Sequence, residues 1–314
     1  MCQCPWVFYW VNFLNFTTNK LPLGAIGFYI LLPFLYFISI LPFPLFFLVS
    51  DFFCFLLYYV IGYRKKVVYQ NLKNSFPEKS HGELKEIERK FYQYLCDLFL
   101  ETFKTLTISK KEALRRCTFT PQTKELFDKL HEEKKSCIIV MGHFGNWEWA
   151  GNSFGLMCKQ KLYVIYHPLH NKQFNNLIYK MRTRFGNGLY AMRDTIREMI
   201  KNKNEINATA FIADQTPAPE GAYWTTFLNQ DTPIFWGTEK IAVKLNFPVV
   251  YVTVNLVKRG YYEVNSEILV NDPKSTKEGE ISELHTKKLE LDIKTQPEVW
   301  LWSHRRWKHK RPKA

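Results

Sequence analysis

The chain has 314 residues, of which 46% are hydrophobic and 17% aromatic, enough to bury a full core in one large or two smaller domains and too apolar for a disordered chain. Its formal net charge of +14 points to an anionic partner, but acids interrupt the basic residues and no nucleic-acid-binding motif occurs, so no nucleic acid is expected. Seven scattered cysteines, among them Cys2 and Cys4, form no C-x2-C or Cys/His spacing, which argues against zinc and for free thiols in a reducing compartment.

Residues 21 to 63 contain no Lys or Arg and a single acid, Asp51. Leu23 to Leu41 is about the length needed to cross a hydrocarbon core of ~30 Å, and a second apolar run extends from Pro42 to Tyr63. Pro33, Pro42 and Pro44 are expected to kink or interrupt these helices. That leaves two arrangements open, one spanning helix with an interfacial one or a re-entrant hairpin. The boundary is drawn at residue 63, with 1–63 a membrane anchor and 64–314 a second, water-facing domain. Arg64, Lys65 and Lys66 follow the apolar block while only Lys20 precedes it closely, which places the part after residue 64 in the cytoplasm. A cleaved secretory signal does not fit, because the apolar block is too long and lacks a basic leader.

Beyond the anchor, Val67 to Phe76 and Gly82 to Thr107 are predicted helices. In the second, Leu84, Ile87, Phe91, Tyr94, Leu95 and Leu98 recur at three- and four-residue spacing, as a core-packing stripe does. Next comes Ser136-Cys-Ile-Ile-Val-Met-Gly-His-Phe-Gly-Asn-Trp-Glu-Trp149. It reads as a buried strand, a glycine turn and a helix opening at Trp147. A base candidate, His143, thus stands where a strand gives way to a helix, and Glu148 follows at His-x4-Glu spacing. A carboxylate one turn beyond an imidazole can accept its second N–H, set its tautomer and stabilise the imidazolium. The bland alternative is a satisfied strand-end histidine with an acid in the first helical turn.

Further along, strands are expected at Leu162 to Tyr166, Ala208 to Ile212, Phe247 to Leu256 and Tyr262 to Leu269. Helices are expected at Gln173 to Phe185, Thr195 to Lys203 and Ile281 to Ile293. This alternation predicts an α/β fold, a mixed sheet covered by helices. His167 and Asn171 lie in the loop after the first of these strands, ahead of Arg182 and, farther on, Arg193. They are candidate phosphate-recognising residues, since guanidinium forks match phosphate oxygens, with a merely solvated helix face as the alternative. Asp214, with Gln215, ends an apolar strand, where an acid is costly without a partner or substrate.

Gly142-His-Phe-Gly-Asn-Trp-Glu148 resembles the H-x4-D/E box of the glycerolipid acyltransferase superfamily, and more closely that of the bacterial lipid A late acyltransferases. Asp214-Gln215, Phe227-Leu-Asn229, Gly237-Thr-Glu-Lys-Ile-Ala242 and the closing Pro297-Glu-Val-Trp-Leu-Trp-Ser-His-Arg-Arg-Trp-Lys308 extend the resemblance over most of the chain. It implies an acyltransferase-type domain in which His143 is the general base and Glu148 supports it. Asp214 and Gln215 would contribute to the substrate site, and backbone N–H groups around Gly145, Asn146 and Trp147 would stabilise the oxyanion. An apolar channel for the acyl chain is expected near the membrane-facing surface.

The implied donor is an acyl-carrier-protein thioester, with acyl-CoA as the alternative. The implied acceptor is a phosphorylated, Kdo-bearing glycolipid in the inner membrane of a Gram-negative bacterium, and no cofactor or metal is required. One departure stands out: many members carry Arg where this chain has His167, which opens the reading that the acceptor is another membrane lipid. A non-catalytic membrane adaptor is the remaining alternative.

Overall fold

The computed structural model describes residues 23–311, with side-chain detail from residue 27. Cys2, Cys4 and Lys20 lie outside the described residues.

Among the described residues two apolar helices come first, α1 (Leu23–Ile40) and α2 (Phe43–Phe55), the latter continuing as a π-helical turn over Leu56–Ile61. Pro33 sits inside α1 without ending it, whereas Pro42 and Pro44 fall at the start of α2, where the missing N–H has no helical partner to lose. α3 (Lys65–Ser75) follows. The 24-residue α4 (His81–Lys104) then starts at a reciprocal cap, the Ser80 hydroxyl on the Glu83 N–H and the Glu83 carboxylate on the Ser80 N–H. α4 carries the apolar stripe expected from its periodicity, with Leu84, Phe91, Leu95 and Leu98 all buried.

The remaining chain is α5 (Lys110–Arg116), β1 (Cys117–Phe119), α6 (Pro121–Glu132), β2 (Cys137–Met141), α7 (Trp147–Met157), β3 (Lys161–Tyr166), α8 (Lys172–Thr183), β4 (Gly188–Ala191), α9 (Thr195–Lys201) and β5 (Asn207–Ile212). A hairpin of β6 (Tyr223–Phe227) and β7 (Gln230–Ile234), then α10 (Gly237–Leu245), β8 (Val249–Lys258), β9 (Tyr261–Val270) and α11 (Glu280–Thr295) complete it. The expected strands and helices after residue 160 are present, with ends shifted by a few residues. The short strands β1 and β4 and the β6–β7 hairpin had no periodic signal in the sequence.

Seven strands form one mixed sheet in the order β1-β9-β8-β2-β5-β3-β4, parallel except for the β8–β9 pair. β2 lies inside it, paired parallel with β8 and β5, and Cys137 through Val140 are buried, which explains an uninterrupted apolar run in place of alternation. The fold class expected from the sequence, an α/β sheet covered by helices, is the one observed. The Gly237–Ala242 block has a packing role: the buried Glu239 carboxylate accepts from the backbone N–H groups of Gly279 (2.6 Å) and Ser282 (2.9 Å), capping α11. The register of β2 against β5 sets the site. Met141 pairs with Ile212, and the Ala213 N–H extends the ladder to the Met141 carbonyl at 3.0 Å. Two residues past each strand, His143 and Asp214 therefore emerge side by side at the carboxyl edge, where crevices of α/β sheets lie.

Candidate active site

His143 and Asp214 are both buried. The His143 ring Nδ1 lies 2.6 Å from Asp214 Oδ1, and the His143 backbone N–H donates to Asp214 Oδ2 at 2.7 Å. The Trp300 indole N–H donates to the same Oδ2 at 2.8 Å. Burial alone raises the Asp214 pKa, but the imidazole charge and these three hydrogen bonds outweigh it and hold the carboxyl down at about 2. An ionised carboxylate only accepts, so Nδ1 must carry a proton, and in the neutral form of the ring Nε2 is then the nitrogen with the lone pair. Gln215 Nε2 stands 3.2 Å from that Nε2, and the Trp147 ring meets the imidazole edge-on at 4.9 Å.

The place that the sequence assigned to Glu148 is therefore held by Asp214. Glu148 lies one residue into α7 and takes a different partner, Arg182 of α8, which grips it bidentately: Arg182 Nε reaches Oε2 at 2.9 Å and a terminal guanidinium nitrogen reaches Oε1. Asp214 in turn lies behind the imidazole rather than on the wall of the cavity that His143 faces, so its observed contacts are with His143 and Trp300 and not with that space.

The glycine turn is stiff. Gly145 has φ +62°, and a Cβ there would sit 1.8 Å from the Val254 carbonyl oxygen. Its N–H donates to the Val299 carbonyl at 3.0 Å and its own carbonyl accepts from Tyr94 at 2.7 Å. The Gly145 N–H is thus committed within the fold and does not serve as the oxyanion donor expected of it. Asn146 is the N-cap of α7: its side-chain oxygen accepts from the Trp149 N–H at 2.9 Å, and its amide donates to buried Glu101 at 2.8 Å. Glu101 also accepts from the Tyr262 hydroxyl at 2.7 Å. Burial raises its pKa to about 8, helped by the charge of Asp97 and opposed by the Tyr262 and Asn146 hydrogen bonds, so a protonated carboxyl underlies the turn at neutral pH.

A cavity of about 320 Å³ opens at His143, within the ~300–1,000 Å³ range of small-molecule sites. Its lining is mostly apolar and includes the polar side chains of His167, Glu148, Arg182 and Gln215. The inner end is closed by the buried side chains of Phe127, Ile139, Phe154, Leu162 and Val264.

The other candidates separate. His167 is half-buried in the cavity lining with Nδ1 3.0 Å from the Pro168 carbonyl oxygen. Asn171 is the N-cap of α8, its side chain accepting the Phe174 N–H at 3.1 Å, and Arg193 points outward with a side chain 86% exposed. The residue that sequence reasoning missed is Trp300. It belongs to the closing Trp-rich motif, which is tied down throughout: Thr216 donates to the Arg306 carbonyl at 2.6 Å, Arg64 to the Ser303 carbonyl at 2.8 Å, and Asn71 to the Trp302 carbonyl at 2.8 Å. The density of aromatic residues in that motif was the available signal, but nothing local tells which acid an indole N–H will meet.

A histidine held by a strand-end aspartate at the mouth of an apolar pocket suits proton abstraction beside a fatty chain. The family described as bacterial lipid A biosynthesis acyltransferase matches residues 14–309. The chain belongs to that family. Among curated proteins, this acyltransferase is 21% identical over 247 residues to the lipid A biosynthesis palmitoleoyltransferase of Escherichia coli (strain K12), covering 78% of this chain and 79% of that one. The lipid A biosynthesis acyltransferase of Shigella flexneri matches with the same identity and coverage. Membership makes the protein an enzyme that transfers acyl groups in lipid A biosynthesis, and it implies a glycolipid acceptor.

Proposed function

We propose that this acyltransferase moves a fatty acyl chain from an acyl-carrier-protein thioester to a hydroxyl of a Kdo-bearing lipid A precursor, with His143 as general base. The observation that carries this reading is the pairing of His143 Nδ1 with Asp214 at 2.6 Å while the ring opens on the apolar cavity. The acyl chain of the donor lies in the cavity, which brings its thioester carbonyl to the imidazole. Nε2 takes the proton of the acceptor hydroxyl as that oxygen attacks the carbonyl, and Asp214 supports the imidazolium so formed. Collapse of the tetrahedral intermediate expels the carrier thiolate, which receives the proton from Nε2. The first-turn N–H groups of α7 at Trp147 and Glu148 are the assigned oxyanion donors, because a helix start leaves such groups without intrahelical partners and carries partial positive charge.

Glu148 acts on Arg182, not on the base. A guanidinium gripped bidentately in the cavity lining presents its charge in a fixed place for the phosphate or carboxylate of an anionic glycolipid. The 43 Lys and Arg residues against 29 acids suit both an acidic carrier protein and an anionic bilayer on the cytoplasmic face of the inner membrane.

The test is mass spectrometry of lipid A from a deletion strain complemented by wild type or by His143→Ala, with expression verified. Loss of one acyl chain, restored by wild type alone, is the expected result. Full restoration by His143→Ala would remove the base assignment. Unaltered lipid A with an acyl chain missing from another membrane lipid would favour the acceptor reading that His167 motivates.

A further inference from the structure

We infer that neither apolar helix crosses the bilayer: α1 and the α2 segment Phe43–Ile61 lie along one leaflet, docked on the catalytic domain by their inner faces, and deliver the cavity mouth to the lipid surface. This rests on the proposed reading that the acceptor is a membrane lipid.

By length and composition Phe43–Ile61 qualifies as a membrane span. Its packing argues otherwise, because the domain is attached at successive turns along it. Phe43 meets Trp149 edge-on at 6.3 Å, and Phe46 is fully buried. Ser50 donates to Asp97 at 2.6 Å, Leu57 is buried, and Tyr58 lies against Tyr92 with ring centroids 5.0 Å apart. These contacts run over fifteen residues, ~22 Å of helix. A span could not leave a domain attached over that length without drawing the domain's polar surface into hydrocarbon. Asp51, near the midpoint, pairs with Arg259 at 2.6 Å, and Arg259 also holds Asp97 at 2.7 Å. An acid at a bilayer centre is costly, whereas at the interface it meets water and headgroups.

The same holds for α1. Phe28 meets Phe174 of α8 at 4.9 Å, Leu35 is buried in the same cluster, and the Ser39 hydroxyl lies 2.7 Å from that of Thr107. The turn between the helices is fastened by Lys104, whose ammonium donates to the Ser39 and Leu41 carbonyls, each at 2.6 Å.

The outer faces are another matter. On α2 and its extension, Leu45, Leu48, Phe52, Phe55 and Tyr59 recur at intervals of three and four, each between 52% and 64% exposed. On α1, Ile30, Phe34 and Phe37 make a second stripe, exposed between 59% and 63%. An anionic leaflet is the fitting occupant for two reasons. The α2 stripe runs into the basic residues Arg64, Lys65 and Lys66, as on an interfacial anchor. The inner-face cluster of α1 also shares Leu169 and Ile178 with the cavity lining, so α1 is packed directly beside the cavity.

The test uses the full chain with reactive native cysteines replaced by alanine, and a nitroxide on a cysteine placed singly at Leu45, Leu48, Phe52, Phe55 or Tyr59. Each protein is bound to vesicles of phosphatidylethanolamine and phosphatidylglycerol, and label depth is read from collisions with oxygen against a water-soluble nickel chelate. The expected result is one shared depth, ~5–10 Å below the headgroups. A label at position 52 near the bilayer centre, with 45 and 59 at opposite surfaces, would overturn the inference in favour of a span. Labels shielded from lipid at all five positions would overturn it in favour of a protein cover, whether a second copy or residues 1–22. Acyl transfer by each labelled protein is measured alongside. A uniformly shallow but inactive set rejects the catalytic reading and keeps the anchoring, while an active protein with spanning depths does the reverse.

Discussion

Asp214→Asn perturbs one atom of the site, and its effect can be worked out from the three donors that converge on the carboxylate. The His143 backbone N–H and the Trp300 indole N–H share Oδ2, while the imidazole Nδ1 meets Oδ1. Asparagine has one accepting oxygen. If that oxygen faces Nδ1, its amide N–H groups confront two other donors. If it is turned over, the oxygen keeps both of those bonds and the amide donates to Nδ1. The second orientation wins by a hydrogen bond and by relief of two donor–donor contacts, a margin of ~1–3 kcal/mol. It forces the proton onto Nε2, where the base needs a lone pair. An asparagine in the equivalent place of a serine protease triad lowers kcat by about 10⁴ for the same reason. A loss of about 10³–10⁴ in kcat is therefore expected here, ~4–5.5 kcal/mol, with KM little altered. The assay is transfer of a radiolabelled acyl group from carrier protein to glycolipid, with thermal unfolding as a check on folding. A folded variant within tenfold of wild-type kcat would refute the assignment of Asp214 as the group that sets the His143 tautomer.

Two further outcomes follow from the same geometry. Gly151→Leu adds a side chain to the cavity wall at a position where a Cβ meets nothing closer than Leu162 at 3.8 Å. Overpacking costs ~1–3 kcal/mol, so kcat/KM for the longest acyl donors should fall roughly ten- to a hundredfold while shorter donors are spared; equal losses for all chain lengths would remove the channel from this position. Glu101 has a folded pKa raised to about 8 against ~4.3 in the unfolded chain, so its contribution to stability declines as pH rises between those values, by up to ~1.4 kcal/mol per unit. Glu101→Gln should therefore gain on wild type in urea midpoint from pH 5 to pH 8, and parallel pH profiles would contradict a protonated Glu101.

The strand, turn and helix around His143 could be read from the sequence because each depends on near neighbours: a run of apolar, largely β-branched residues, two glycines and a helix opening at Trp147. The helix periodicity of residues 81–104 is equally local, and the closing motif carried the family resemblance without revealing what its tryptophans touch. Local spacing misled at Glu148. One helical turn from His143 in sequence, it is claimed by Arg182, 34 residues away, because α7 and α8 pack side by side. The imidazole's partner comes from 71 residues on and the indole that steadies it from another 86, a meeting set by β2 pairing with β5 and by the chain end folding back beneath them.

Hydropathy marked the apolar segment and its length, since both are sums over residues. Whether such a helix spans depends on what its faces touch, and the docking of α2 through Ser50 and Asp51 exists only once Asp97 and Arg259 have been brought together by α4 and the β8–β9 turn. Sequence thus determined the residue types available for acyl transfer and the local elements that carry them. Tertiary structure decided which acid meets the His143 imidazole, which N–H groups are already used, and which face of each apolar helix is left exposed, because those outcomes rest on contacts between segments that local propensity does not encode.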